Sequence, residues 1–220
     1  DRSRAAASAA PTPEAAPVMI ALRFLNDAMP AASRVDKMIA SHGPGCAMQR
    51  AVFHFITGAG SCRNAPAIGR ALLDEGITLY SVLTPNVSMV LRPETLMDFP
   101  GNHWIRDYGE PPLDVFPFGT MLVAPCTFNT LNKLVAGIAD NLATAMLGDA
   151  IGAGCPVVIA PGMNRGQWHN PRVADSIATL QDWGCTVIPP AGVDGDAKAR
   201  ITLAPPERIV RATLERTVQQ

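Results

Sequence analysis

Four short clusters of small, hydroxyl and amide residues hold most of this sequence's capacity for chemistry. They are Gly58-Ala59-Gly60-Ser61, Thr84-Pro85-Asn86, Pro125-Cys126-Thr127-Phe128-Asn129-Thr130 and Pro161-Gly162-Met163-Asn164. Glycines such as Gly58 and Gly60 let backbone N–H groups approach an anion closely, and a helix N-terminus favours negative charge beside it. Ser61, Thr84 and Thr127 can donate to phosphate oxygens. Asn129 and Asn164 each offer a donor and an acceptor to the polar edge of a heterocycle. Almost no charge interrupts the four clusters, which together suit a bound mononucleotide. The glycine cluster alone is equally an ordinary strand-to-helix turn, because it lacks both the GxGxxG and the GxxxxGK[ST] spacing.

Other chemistries find less support. His42, His54, His103 and His169 have no partner four residues away and no acidic cluster, so no metal site is expected. His54 falls in mid-strand and reads as a satisfied core residue. No GxSxG nucleophile elbow is present. Cys46, Cys62, Cys126, Cys155 and Cys185 are odd in number, widely spaced and without a CxxC pair. They read as small buried hydrophobes in a reducing compartment rather than as a disulfide framework.

The clusters must be held by rigid elements, and the apolar pattern supplies them. Ala51 to Thr57, Thr78 to Leu83, Thr120 to Ala124, Pro156 to Ala160 and Thr186 to Ile188 predict strands that are apolar nearly throughout. Between them, Ala65 to Leu73, Thr130 to Leu147 and Asn170 to Trp183 predict helices; the second is supported by Leu131, Leu134, Val135, Ile138, Leu142 and Met146 at helical spacing. Strands without polar alternation, separated by helices, indicate a parallel sheet covered on both faces. The expectation is an α/β fold, a single doubly wound parallel sheet of flavodoxin-like or Rossmann-like type. In such a sheet ligands collect beyond the carboxyl ends of the strands, where all four clusters fall. The proline-rich stretch from Arg92 to Gly119 reads as an extended excursion.

Composition bounds the remaining possibilities. The chain has 220 residues, 48% hydrophobic and 17% charged, with 18 Lys+Arg against 19 Asp+Glu. That is enough for one ordinary globular domain, and the balanced charge argues against a general nucleic-acid binder. The best apolar run, Val18 to Leu25, is far shorter than the roughly 20 residues that span a bilayer and includes Arg23. Residues 1–50 read as a flexible Ala/Pro-rich leader and a helical appendage without a secretory signal, and residues 51–220 as the ligand-binding domain. A cytoplasmic protein is expected.

From Val123 onward the sequence resembles a known family. VAPCTFNT at Val123 to Thr130, the following LNKLVAGIADNLAT, then PVVIAPGMNRGQWHNP and WGCTVIPP are similar to the FMN-containing cysteine decarboxylases. These include phosphopantothenoylcysteine decarboxylase and the decarboxylases of C-terminal peptidyl cysteine. The PASANT-type motif corresponds to Pro125 to Thr130. The PxMNxxMW motif corresponds to Pro161 to Trp168, with Gln167 where Met is usual. The resemblance implies FMN as cofactor, held through Gly58, Gly60, Ser61, Thr84, Thr127, Asn129 and Thr130. It implies hydride abstraction from the cysteine side of the substrate, then loss of CO₂ from the thioaldehyde to give an enethiol. Met163 and Asn164 would contact a peptide or small thiol-carboxylate substrate, and a homotrimer or homododecamer is implied, with flavin at a subunit boundary.

Two departures shape the expected activity. The family's catalytic His precedes the strand leading into the PASANT-type loop, but here that region reads GEPPLDVFPFGTMLVAP and has no His. His103 is the nearest candidate, and Asp114 of ordinary pKa would be a weak substitute. The substrate-covering loop, Ala191 to Lys198, lacks the Cys that reduces the enethiol in coenzyme A biosynthesis. The resemblance therefore points to oxidative decarboxylation of a peptide's C-terminal cysteine, with catalytic candidates Asn164 and His103. The alternative is an FMN-binding flavoprotein of the same fold that serves reduction, electron transfer or partner binding.

Overall fold

Six parallel strands form one sheet in the order β3-β2-β1-β4-β5-β6 in the computed structural model, which describes residues 50–193 and 201–218. The strands are β1 (Ala51–Ile56), β2 (Thr78–Leu83), β3 (Asn102–Ile105), β4 (Thr120–Cys126), β5 (Val157–Pro161) and β6 (Thr186–Val187). The helices are α1 (Ala65–Asp74), α2 (Pro93–Met97), α3 (Phe128–Ala136), α4 (Leu142–Gly152), α5 (Arg165–Trp168), α6 (Pro171–Asp182) and α7 (Pro206–Val218). The leader and helical appendage read over residues 1–50 lie outside the described residues except for Arg50.

Every residue of β1, β4 and β5 is buried, which is why these strands lack polar alternation. Alternate residues face opposite layers. Phe53, Phe55, Met121, Val123, Val157 and Ile159 pack with Leu131, Leu134, Met146, Leu147, Val173 and Leu180 from α3, α4 and α6. Val52, Leu122, Ala124, Val158 and Ala160 pack on the other face with Ile68 and Leu72 of α1 and Ile209 and Val210 of α7. The doubly wound parallel sheet expected from the sequence is therefore present.

Two of the stretches read from the sequence differ in the structure. The helix read over Thr130 to Leu147 is two helices: Gly137 turns left-handed at φ 67° and ends α3, while Asn141 caps α4 in a reciprocal box with Thr144. The stretch from Arg92 to Gly119 contributes α2 and the edge strand β3. Strand order reverses direction at β1 and β4, whose following loops part and open a crevice.

Candidate functional site

That crevice is a cavity of about 1080 Å³. It gathers Gly58, Gly60 and Ser61 from beyond β1, Thr84 from β2, Thr127, Asn129 and Thr130 from β4–α3, and Met163 and Asn164 from β5–α5. The four sequence clusters thus face a single space.

Its floor is tied together by a residue outside those clusters' expected contacts. Buried Thr57 donates from Oγ1 to the Pro125 carbonyl at 2.7 Å and accepts from the Thr127 N–H at 2.9 Å. Thr127 in turn caps α3, accepting from Thr130 N–H at 3.4 Å, with the two hydroxyls 3.1 Å apart. Close backbone approach also explains two glycines. A Cβ on Gly58 would lie 2.6 Å from the Asn86 carbonyl oxygen, and one on Gly162 would lie 2.6 Å from Pro125 Cβ and 2.8 Å from Ser61 Oγ. Gly60 is different: a Cβ there would meet nothing within 4 Å.

Several polar groups face the cavity without protein partners among the described residues. They include the hydroxyls of Ser61 and Thr84, the latter on a residue only 7% exposed, and the carboxamides of Asn64, Asn86, Asn129 and Gln167. Asn164 caps α5 by accepting the Gln167 N–H at 2.9 Å on Oδ1, which leaves its Nδ2 donors available. Partner-ready hydroxyls, amide donors and the open space at Gly60 fit a phosphorylated, heterocyclic cofactor such as FMN.

Charge is sparse. Lys133 and Asp140 line the cavity and form a short ion pair, whose hydrogen bond holds the Asp140 carboxyl below the usual carboxylate range. Arg165 lines it too, with Nη1 3.1 Å from His169 Nε2. Asn64, Lys133, Asp140, Asn141, Arg165 and Gln167 also line the cavity but fall outside the four sequence clusters, because they lie on helices or in the inter-helix turn rather than directly past a strand. Asp140-Asn141 after Gly137 was the available signal for the turn.

The remaining titratable candidates lie elsewhere. His103 sits exposed on the edge strand β3, its ring 5.4 Å from Tyr80, and it does not line the cavity. His54 is buried in β1; its Nε2 stands 2.7 Å from the Ala124 carbonyl, and burial lowers its pKa to about 4. The imidazole is therefore neutral and donates that bond at neutral pH. Burial pushes the Cys126 thiol far above its ordinary pKa, so it is no nucleophile. No group of three His, Cys, Asp or Glu suited to a metal ion occurs among the described residues, and no described helix is long and apolar enough to cross a membrane.

Comparison with known proteins agrees with this architecture. The chain is 42% identical over 71 residues to the coenzyme A biosynthesis bifunctional protein CoaBC of Mycolicibacterium smegmatis, a match covering 32% of this chain but only 16% of that protein. The fold is shared with the FMN binding protein AtHal3 at a TM-score of 0.66 and 22% identity, over 78% of this chain and 98% of that one. It is also shared with the peptidyl-cysteine decarboxylase EpiD at a TM-score of 0.61 and 23% identity, over 74% and 98%. The Flavoprotein family model matches residues 42–217, and the chain belongs to that family.

Proposed function

We propose that this protein is an FMN-dependent oxidative decarboxylase of a cysteine-type substrate, a peptide's C-terminal cysteine, with an enethiol as product. The observation that carries this reading is the convergence of Met163 and Asn164 with partnerless hydroxyls and carboxamides on one weakly charged cavity. EpiD, which has this fold, is a peptidyl-cysteine decarboxylase, and AtHal3 is an FMN binding protein.

When bound, FMN supplies the two-electron oxidant that accepts hydride from the cysteine β-carbon. Ser61 and Thr84 would donate to its phosphate, with the backbone beside Gly58 and Gly60 close to the same oxygens. Thr127, Asn129 and Thr130 would contact its ribityl and ring portions. Asn164 would donate from Nδ2 to the substrate carboxylate while Gln167 N–H keeps its Oδ1 fixed. A neutral amide orients that carboxylate without a permanent positive charge, which would stabilise the reactant and oppose CO₂ loss. Met163, packed against the core, would give the substrate an apolar wall. We also propose a homotrimer or homododecamer in the cytoplasm, with flavin shielded at a subunit boundary.

A second reading is an FMN-binding flavoprotein that does not decarboxylate. It is favoured by His103 standing on β3 away from the cavity, and by the lack of any other His between Arg92 and Gly119. The two separate on one experiment. Purified protein is denatured to identify released flavin, then intact protein is incubated with Cys-ending peptides and products are weighed by mass spectrometry. FMN release with loss of CO₂ and two hydrogens supports the decarboxylase. FMN with unchanged peptides supports the second reading, and a colourless protein that fails to take up FMN overturns both.

A further inference from the structure

Gln167 and Asn164 present two side-chain amides from a single turn on one wall of the cavity. The Gln167 backbone N–H occupies Asn164 Oδ1 at 2.9 Å, so the two residues are fixed relative to each other. Yet the Gln167 carboxamide itself has no hydrogen-bond partner among the described residues. Its donor and acceptor match the acceptor and donor of a peptide group.

The charges of the cavity point the same way. Asp140 is the sole carboxylate lining it among the described residues, and it is held by Lys133 and by Asn141 Nδ2 at 2.9 Å. Among the described residues no unpaired carboxylate lines the cavity to meet the α-ammonium of a free cysteine, whose desolvation there would be costly. A cysteine whose nitrogen is acylated brings a neutral amide instead.

Resting on the decarboxylase reading, we infer that Gln167 is a specificity-determining residue whose carboxamide hydrogen-bonds the amide joining the substrate's cysteine to its acyl group. Asn164 holds the carboxylate and Gln167 reads the adjacent linkage. The side chain therefore selects acylated cysteine over ligands that share only the thiol and carboxylate.

The test uses the FMN-loaded full chain and two probes, N-acetylcysteine amide-linked through its nitrogen and 3-mercaptopropionate, which has thiol and carboxylate but no amide. Dissociation constants are measured by flavin absorbance titration and by calorimetry for wild type and Gln167→Met, with turnover of a Cys-ending peptide followed in parallel. Loss of one or two hydrogen bonds predicts about five- to tenfold weaker binding of N-acetylcysteine and unchanged binding of 3-mercaptopropionate. Equal weakening of both probes, or no weakening of either, overturns the inference while leaving peptide turnover by wild type as the separate measure of the decarboxylase reading. If wild type binds neither probe and turns over no peptide, both fall together. Gln167 is exposed and its carboxamide makes no internal bond, so the variant is expected to fold; unchanged urea unfolding checks this.

Discussion

Thr57 joins the ends of β1 and β4 to the start of α3: its hydroxyl lies 2.7 Å from the Pro125 carbonyl and 2.9 Å from the Thr127 backbone nitrogen. Thr57→Val keeps the shape and removes both bonds, leaving the Thr127 N–H without its acceptor. The expected cost is about 1–3 kcal/mol in urea unfolding. Because Thr127 then loses its anchor beside the proposed ribityl site, flavin affinity should fall as well. A variant as stable as wild type, with unchanged flavin affinity, would show that the bridge contributes nothing to the site.

Gly60 and Gly162 should respond in opposite ways to alanine. A Cβ on Gly162 collides with Pro125 Cβ at 2.6 Å and Ser61 Oγ at 2.8 Å, so Gly162→Ala is expected to lose about 1–3 kcal/mol of stability. At Gly60 the new methyl enters open space, and Gly60→Ala should unfold like wild type but bind FMN more weakly. Thermal unfolding with and without added flavin separates the effects. Equal flavin affinity in Gly60→Ala and wild type would remove Gly60 from the cofactor site.

Much of this arrangement is legible in sequence because the strands are buried on both faces, as at Val52 to Ile56 and Val157 to Pro161, and their ends carry the small polar residues. The break between α3 and α4 is less legible. Leu134, Ile138 and Leu142 keep helical spacing across it, although Ile138 is 47% exposed and Gly137 has already left the helix. The C-terminal helix is also less legible, although Pro206 and Glu207 mark a start and Ile209, Val210 and Thr213 share a buried face. The polar wall completed by Asn64 and Lys133 depends on how α1's approach and α3 curve around the crevice, which residue spacing along one strand cannot convey.

His54 makes stability depend on pH. Its native pKa of about 4 lies below the ordinary 6.5, so the unfolded chain binds the extra proton between those values. The sign follows: this contribution is complete above pH 6.5 and is lost as pH falls towards 4, amounting to about 3 kcal/mol. Urea unfolding at about pH 7.5 and 4.5 should show the loss in wild type, and a smaller loss in His54→Gln. Equal pH dependence in both would assign acid lability to other groups.

Met89, 85% exposed at the end of the 3₁₀ turn that begins at Pro85, and Ile138 are exposed apolar side chains that follow cavity-lining Asn86 and precede cavity-lining Asp140 in the chain. Burial against a neighbouring copy at roughly 25 cal/mol per Å² would favour association. Light scattering of the FMN-loaded protein is expected to give the mass of a trimer or dodecamer, and Met89→Lys should lower it. A strict monomer at micromolar concentration would refute the proposed assembly.

Asn164 offers the sharpest test of chemistry at the site. Its Oδ1 already serves as the cap of α5, a duty that a carboxylate oxygen performs equally well, so Asn164→Asp should preserve the local fold. The substitution removes the Nδ2 donors and adds a negative charge where the substrate carboxylate is proposed to lie. At ~4 Å and an effective dielectric of ~20 the repulsion is about 4 kcal/mol, equivalent to roughly a thousandfold loss in kcat/KM. FMN content should be unchanged, because the cofactor phosphate is proposed to lie against Ser61 and Thr84 on other loops. Loss of flavin with retained turnover per bound flavin would make Asn164 a cofactor ligand. Full turnover with full flavin would leave it as a helix cap alone, and the carboxylate would have to be held from elsewhere in the cavity.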